Sequence, residues 1–246
     1  MKNHNQMNVE QYQYLADFYK YTNPQKHLYY YQLYYSNVYE YSQQQREIET
    51  APQELSGNLR FLHAALNTQE VDIYLNDTIL ERSFRFSNKS DYEAIPEGSY
   101  QISIFPANTK NTPLLSGYLQ VENDAYYTIA IAGNNENVDL FIIEDDVEIP
   151  QNESKFRVWN LSQYPPSIDV AVKKGDVVFS DIGYSEVTEY LAMTPMTVDL
   201  EVRQSGTTNS IRPLNRVSLK PNFGYTIVLI SHSADPNSLY AIFLVP

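Results

Sequence analysis

His63, His232 and the acidic pair Glu144 and Asp146 are the side chains of this 246-residue chain best suited to acid–base, hydrolytic or metal chemistry. Each lacks the company such chemistry needs. A metal-binding histidine needs further ligands at short spacing, and none accompanies His63. His63 is therefore expected to make a structural hydrogen bond near a strand end. His232 sits in "SHSADP" (231–236) beside Ser231, Ser233 and Asp235. A serine triad needs its nucleophile on a rigid turn and its base oriented by an acid from elsewhere. No G-x-S-x-G elbow occurs, so an exposed loop is expected there. Two carboxylates of a glycosidase must face each other across a cleft. Glu144 and Asp146 instead lie in "EDDVEIPQNES" (144–154), which reads as a linker and lacks the spaced Asp/Asn/Gly pattern of a calcium loop. No phosphate loop, dinucleotide fingerprint or zinc spacing is present. No catalytic, cofactor-binding or metal residue is assigned, and the chain is expected not to be an enzyme.

Composition narrows the partners. The formal net charge is −13, which repels phosphate backbones and anionic membrane surfaces. Nucleic-acid binding is therefore not expected, and with no run of eighteen apolar residues neither is membrane insertion. The chain has no cysteine, so disulfides and thiolate sites are excluded. The first twenty residues, "MKNHNQMNVEQYQYLADFYK", show no apolar export signal, which favours a protein retained where it is made.

The elements that would position any site emerge from self-comparison. "LRFLHAALNTQEVDIYL" (59–75) aligns without a gap on "FRVWNLSQYPPSIDVAV" (156–172), 97 positions later, placing Arg60 over Arg157 and Asp72 over Asp169. At an offset of 98, "YEAIPEGSYQISI" (92–104) falls on "YLAMTPMTVDLEV" (190–202), and "LQVENDAYYTIAI" (119–131) on "VSLKPNFGYTIVL" (217–229). The reading is two repeats of one domain, 57–144 and 154–246. Short alternating runs such as Val71, Ile73 and Leu75 against Asp72 and Tyr74 mark half-buried strands. Each repeat offers seven or eight strands without helical crossovers, so two tandem immunoglobulin-like antiparallel β-sandwiches are expected. Arg60 with Asp72, and Arg157 with Asp169, are expected as cross-strand ion pairs if their strands pair. Trp159, the only tryptophan, is expected in a core or between the repeats.

Residues 1–50 differ from the rest. They hold eleven of the 22 tyrosines and no glycine. "HLYYYQLYYSNVYEY" (27–41) alone contains Tyr29, Tyr30, Tyr31, Tyr34, Tyr35, Tyr39 and Tyr41. A strand would put Tyr or Leu on one face at odd positions. A helix would make a stripe of Leu28, Tyr31, Tyr35 and Val38. Asn23 as N-cap and Pro24 at the first helical position favour the helix, preceded by another over about 8–21. Tyrosine gives a large amphipathic contact area at low entropic cost. These seven tyrosines are therefore the expected interaction residues, for other proteins or for self-association.

The motifs "LRFLHAALNTQEVDIYLND" (59–77), "IPEGSYQISI" (95–104) and "AYYTIAIAG" (125–133) resemble the bacterial family known as domain of unknown function 4397. The second repeat resembles it less, with Asn160 in place of His63 and Thr194-Pro195-Met196 in place of Pro96-Glu97-Gly98. The resemblance implies tandem immunoglobulin-like domains of bacterial envelopes, without catalytic residues. The tyrosine-rich segment is similar in composition to those of spore coat proteins, which reach the spore from the mother-cell cytoplasm. Together they imply a structural protein of a bacterial surface layer, such as the spore coat, assembling through residues 1–50. A carbohydrate- or peptide-binding module is the alternative.

Overall fold

The computed structural model describes residues 8–50, 55–66, 68–134, 137–231, 235 and 238–245, with side chains described for all of these except 41–50, 134 and 240. His232 lies outside the described residues. The chain divides into an N-terminal unit, 1–53, and a β block, 54–246.

The N-terminal unit holds two helices, α1 (Val9–Tyr19) and α2 (Pro24–Thr50). Asn8 and Gln11 form a capping box at the start of α1. Asn23 caps α2, its Oδ1 accepting from the Lys26 N–H at 3.1 Å, and Pro24 occupies the first helical position. The helices meet where Tyr19 stacks on Tyr30 (5.9 Å between ring centres) and His27 Nδ1 donates to the Ala16 carbonyl at 2.8 Å. The helical reading of the tyrosine-rich segment holds.

The β block is two similar sets of eight strands. The first repeat contains β1 (Ser56–Leu66), β2 (Val71–Leu75), β3 (Thr78–Phe84), β4 (Glu93–Pro96), β5 (Gly98–Pro106), β6 (Leu115–Val121), β7 (Tyr126–Asn134) and β8 (Asn137–Glu144). The second contains β9 (Ser154–Asn160), β10 (Ser167–Val172), β11 (Val177–Gly183), β12 (Leu191–Met193), β13 (Met196–Gln204), β14 (Ser210–Leu219), β15 (Phe223–Ser231) and β16 (Leu239–Leu244). They form four sheets of four strands, ordered β4-β1-β7-β8, β3-β2-β5-β6, β12-β9-β15-β16 and β11-β10-β13-β14.

Two expectations are corrected here. The sheets are not purely antiparallel, because β1 runs parallel to β7 and β9 parallel to β15. Parallel neighbours need a long crossover, and the chain makes it through β2, β3, β5 and β6 of the other sheet, with β4 returning to the free edge of β1 on the way. The Arg–Asp ion pairs do not form, because β1 and β2 belong to different sheets, as do β9 and β10. Alternation reveals which face a residue takes, not which strand lies beside it.

Within each repeat both sheets supply one apolar core. Leu59, Phe61, Ile73, Ile102, Ile104 and Ile129 anchor the first, and Phe156, Val158, Ile168, Leu200, Val202 and Ile227 the second. A third core joins the repeats. The opposite faces of β1, β7, β9 and β15 contribute Leu62, Ala64, Ala130, Trp159, Val228 and Ile230 to it. Trp159 is completely buried there and donates its indole N–H to the Ser185 carbonyl at 3.2 Å. Strands β1 and β9 are thus covered on both faces, so that even Arg60, His63, Lys155, Arg157 and Asn160 are buried along with their apolar neighbours.

Gly133 closes the Tyr-Thr strand with φ +109°, and a Cβ there would lie 2.1 Å from the Asn137 carbonyl oxygen. Gly133→Ala is expected to cost ~1–3 kcal/mol, read as a lower denaturant midpoint at unchanged slope.

Candidate functional site at the junction of the repeats

The charged residues that both repeats keep have separate tasks. Asp72 and Asp169 are buried, and each holds two backbone N–H groups. Asp72 accepts from Ser83 and Asn108 at 2.8 and 2.9 Å, and Asp169 from Asp181 and Gly206 at 2.7 and 3.0 Å. All four donors belong to residues with positive φ. The carboxylates thus pin irregular backbone beside β2 and β10.

Arg60 and Arg157 point the other way, into the junction. The parallel registers set Arg60 beside Thr128 and Arg157 beside Thr226. Arg60 Nε donates to Thr128 Oγ1 at 2.7 Å, and Arg157 Nε to Thr226 Oγ1 at 3.1 Å. Each Nη1 then crosses to the other repeat, Arg60 to the Val245 carbonyl at 2.9 Å and Arg157 to the Glu144 carbonyl at 3.0 Å. Each Nη2 reaches one shared carboxylate. Asp145 Oδ2 lies 3.4 Å from Arg60 and Oδ1 2.7 Å from Arg157. Tyr92 and Tyr190 lie against the two guanidiniums, with ring centres 4.5 and 4.4 Å from the guanidinium carbons.

The arrangement is a pseudo-twofold with one asymmetric member. Arg, Thr and Tyr occur once per repeat, and Asp145 serves both. Its side chain is fully buried. It also accepts from the Tyr92 hydroxyl at 2.6 Å and from Thr128 Oγ1. In the second repeat the Tyr190 hydroxyl meets Thr226 Oγ1 instead, at 3.3 Å. Burial, and then the Asp145 charge, push the Tyr92 phenol well above its ordinary range, so it remains a donor. Two guanidiniums and one carboxylate, all nearly inaccessible to solvent, leave a positive excess. The tyrosine ring faces and the two carbonyl oxygens offset it.

Asp145 is the residue that sequence reasoning missed. It lies in a segment expected to be a solvated linker. Its neighbour Asp146 does face solvent, and its Oδ2 pairs with buried Lys155 at 2.5 Å. The repeated Arg, Thr and Tyr were visible as aligned blocks, but a partner that occurs once leaves no repeat to find. Among the described residues, no group of three His, Asp or Glu side chains is arranged to hold a metal ion.

His63 is fully buried, with ring centres of Phe84 and Phe86 at 6.5 and 6.4 Å. Neither ring nitrogen makes a hydrogen bond of ordinary geometry among the described residues, though the Gln69 backbone lies near enough to offset part of the burial. Asn160, its counterpart, is buried and bonded to Ile182 and Ser162. Burial lowers the His63 pKa from 6.5 to about 4. Above pH 6.5 the imidazole is neutral both folded and unfolded. From there down to about pH 4 only the unfolded chain takes the proton, so stability falls with falling pH, by about 3 kcal/mol across the window. His63→Leu should flatten that slope in denaturant midpoints measured against pH. An identical slope in both proteins would show that His63 does not set it.

The seven candidate tyrosines all lie on α2. Tyr29, Tyr31, Tyr35 and Tyr39 are exposed, Tyr30 and Tyr34 are half-buried, and the side chain of Tyr41 lies outside the described residues.

The family model described as "Domain of unknown function (DUF4397)" matches residues 57–171. Those residues are a DUF4397 domain. The match runs through the first repeat, the connection and β10, and so takes in Arg60, Asp145 and Arg157 together. It finds one DUF4397 domain where the motifs implied two. The second repeat's likeness to the first rests on its strands and junction geometry. No curated protein matches the chain. Among solved structures, 72% of the chain aligns with 34% of the Bacillus anthracis TIE protein at 7% identity and a TM-score of 0.26. A leucine-rich repeat protein from Bacteroides thetaiotaomicron aligns over 70% of this chain and 26% of its own, at 14% identity and a TM-score of 0.21. The chain therefore spans about a third or less of the length of these structures, and at such scores neither likeness informs its role. No helix among the described residues is long and apolar enough to cross a membrane.

Proposed function

We propose that this chain is a non-enzymatic structural and interaction protein of a bacterial surface layer, such as the spore coat. Its DUF4397 β block is the rigid body, made of two immunoglobulin-like sandwiches, and its tyrosine-rich helices are the contact segment. The observation that carries this reading is where the aromatic surface lies. In the β block most large apolar side chains close three cores, the third of which fastens the repeats together, and among its described aromatic residues Tyr118 alone is more than half exposed. In the N-terminal unit Tyr14, Phe18, Tyr21, Tyr29, Tyr35 and Tyr39 are all more than half exposed. An aromatic surface of this density is the composition of a protein contact. A large apolar interface suppresses the hinge motion that tandem domains otherwise show. The block then acts as one spacer.

The test is fractionation of cells producing either the full chain or residues 55–246, both tagged at the C-terminus. The full chain should enter the insoluble surface layer. The truncated chain should stay in the soluble fraction with an unchanged melting curve. Equal incorporation of both would overturn the proposal.

A second reading, a ligand-binding module, draws on one feature. Between β14, β15 and β16 an apolar groove of about 450 Å³ is lined by Leu214, Val217, Phe223, Tyr225 and Phe243, with Arg216 and Lys220 at its rim. In a chain of net charge −13, that rim favours an apolar ligand bearing a carboxylate. Saturable stabilisation by an aryl carboxylate, lost in Arg216→Glu, would support this reading. Equal stabilisation of the variant would remove it.

A further inference from the structure

We infer that α2 pairs with α2 of a second copy of this chain, through a seam of Leu28, Tyr31, Tyr35 and Val38. The inference rests on the proposed contact role of the N-terminal unit and names its partner.

Two stripes run along α2 at spacings of three and four. One is His27, Tyr30, Tyr34 and Asn37, all half-buried. The start of this stripe is where α1 lies, through the Tyr19–Tyr30 stack and the His27–Ala16 hydrogen bond. The other is Leu28, Tyr31, Tyr35 and Val38, exposed by 57, 47, 61 and 38%. Spacing of three, four and three is that of a coiled-coil seam, which faces a partner along its length.

Length leaves α2 short of support inside its own unit. It has 27 residues against 11 in α1. At ~1.5 Å per residue these span ~40 and ~16 Å, so α1 accompanies less than half of α2. Helices in water draw most of their stability from packing an amphipathic face.

Charge decides the occupant. From Leu28 to Tyr39 there is no Asp, Glu, Lys or Arg. A foreign partner chosen by charge finds nothing to read there. Two copies of a chain of net charge −13 repel over most of their surface and approach most easily through such a neutral stretch. One stripe matched to itself about a twofold axis is self-complementary. A lipid surface is disfavoured, because amphipathic helices that lie on membranes are rich in Lys and Arg, and Lys26 is the only one between Pro24 and Tyr41.

Size sets the strength. Four such side chains, half exposed, bury roughly 400 Å² per copy. The total of ~800 Å² is below the ~1,200–2,000 Å² of a stable interface. The pairing is therefore weak in dilute solution and fills only at the local concentrations of an assembled layer.

The test is sedimentation equilibrium of the full chain from micromolar to millimolar concentration. The expected result is a reversible monomer–dimer equilibrium. Tyr31→Glu with Tyr35→Glu sets four carboxylates across the seam and should raise the dissociation constant by about a hundredfold. Tyr29→Glu, off the seam, should leave it unchanged. Circular dichroism confirms that each variant keeps its helices. A full chain monomeric at every concentration overturns the pairing, as does a dimer indifferent to the Tyr31/Tyr35 double substitution. If the chain is monomeric but residues 1–50 are still needed for layer incorporation, the partner is a different protein and the contact role stands. If they are not needed, both readings fall.

Discussion

Replacing Asp145 by alanine should lower the stability of the β block by about 3–5 kcal/mol, the cost of leaving buried charge unpaired. The carboxylate touches both guanidiniums, and its side chain has no solvent access. Without it, Arg60 and Arg157 would face each other as buried like charges. A domain's whole stability is about 5–15 kcal/mol, so the loss is a large share of the total. Asp145→Asn should recover part of it, since an amide oxygen can still accept from one guanidinium. The informative control removes all three charges at once, with Arg60→Met, Asp145→Leu and Arg157→Met. If the penalty in the single variant comes from uncompensated charge, the triple variant should be within about 1–2 kcal/mol of the original, because apolar replacements of a buried ionic cluster are often neutral. Denaturant unfolding measures all three, the Asp145→Ala loss being read from the first of its transitions. An Asp145→Ala loss below 1 kcal/mol would mean that water reaches the junction and screens it.

Trp159→Ala should cost a similar amount, about 3–5 kcal/mol, by opening a void in the core between the repeats. Its signature should differ. Trp159 belongs to neither repeat's own core but to the set it shares with Leu62, Ala64, Ala130, Val228 and Ile230. Its removal should loosen the repeats from each other before either unfolds. Thermal unfolding followed by circular dichroism should broaden or split. An Ile104→Ala control inside the first core should lower the melting temperature while keeping a single transition.

Much of this was legible in the chain. Eight strand stretches of the first repeat follow from alternation and turn residues, and Asn23-Pro24 marks the start of α2. The self-alignment found Arg60, Thr128 and Tyr92 together with their counterparts, because geometry that recurs leaves residues that recur. Partnership was not legible. Arg60 and Asp72 share a strand-like context twelve positions apart, which suggested a pair. The fold sends β1 and β2 to different sheets and turns Arg60 toward Asp145, 85 positions away. An arginine inside the apolar run Leu59–Ala65 did carry a signal. A strand buried on both faces cannot hold a charge without a buried partner. The sequence does not say where that partner comes from, because Asp145 stands among acids that look alike and only one of them is enclosed.

On the proposed reading, the β block serves as a spacer for the tyrosine-rich helices only if its two repeats behave as one body. Scanning calorimetry of the full chain and of Asp145→Ala tests this most directly. The full chain should show one β-block transition in which the calorimetric and van't Hoff enthalpies agree. Asp145→Ala should lower it and separate it into two, one for each repeat. Two independent transitions in the unmodified chain would contradict a single rigid block.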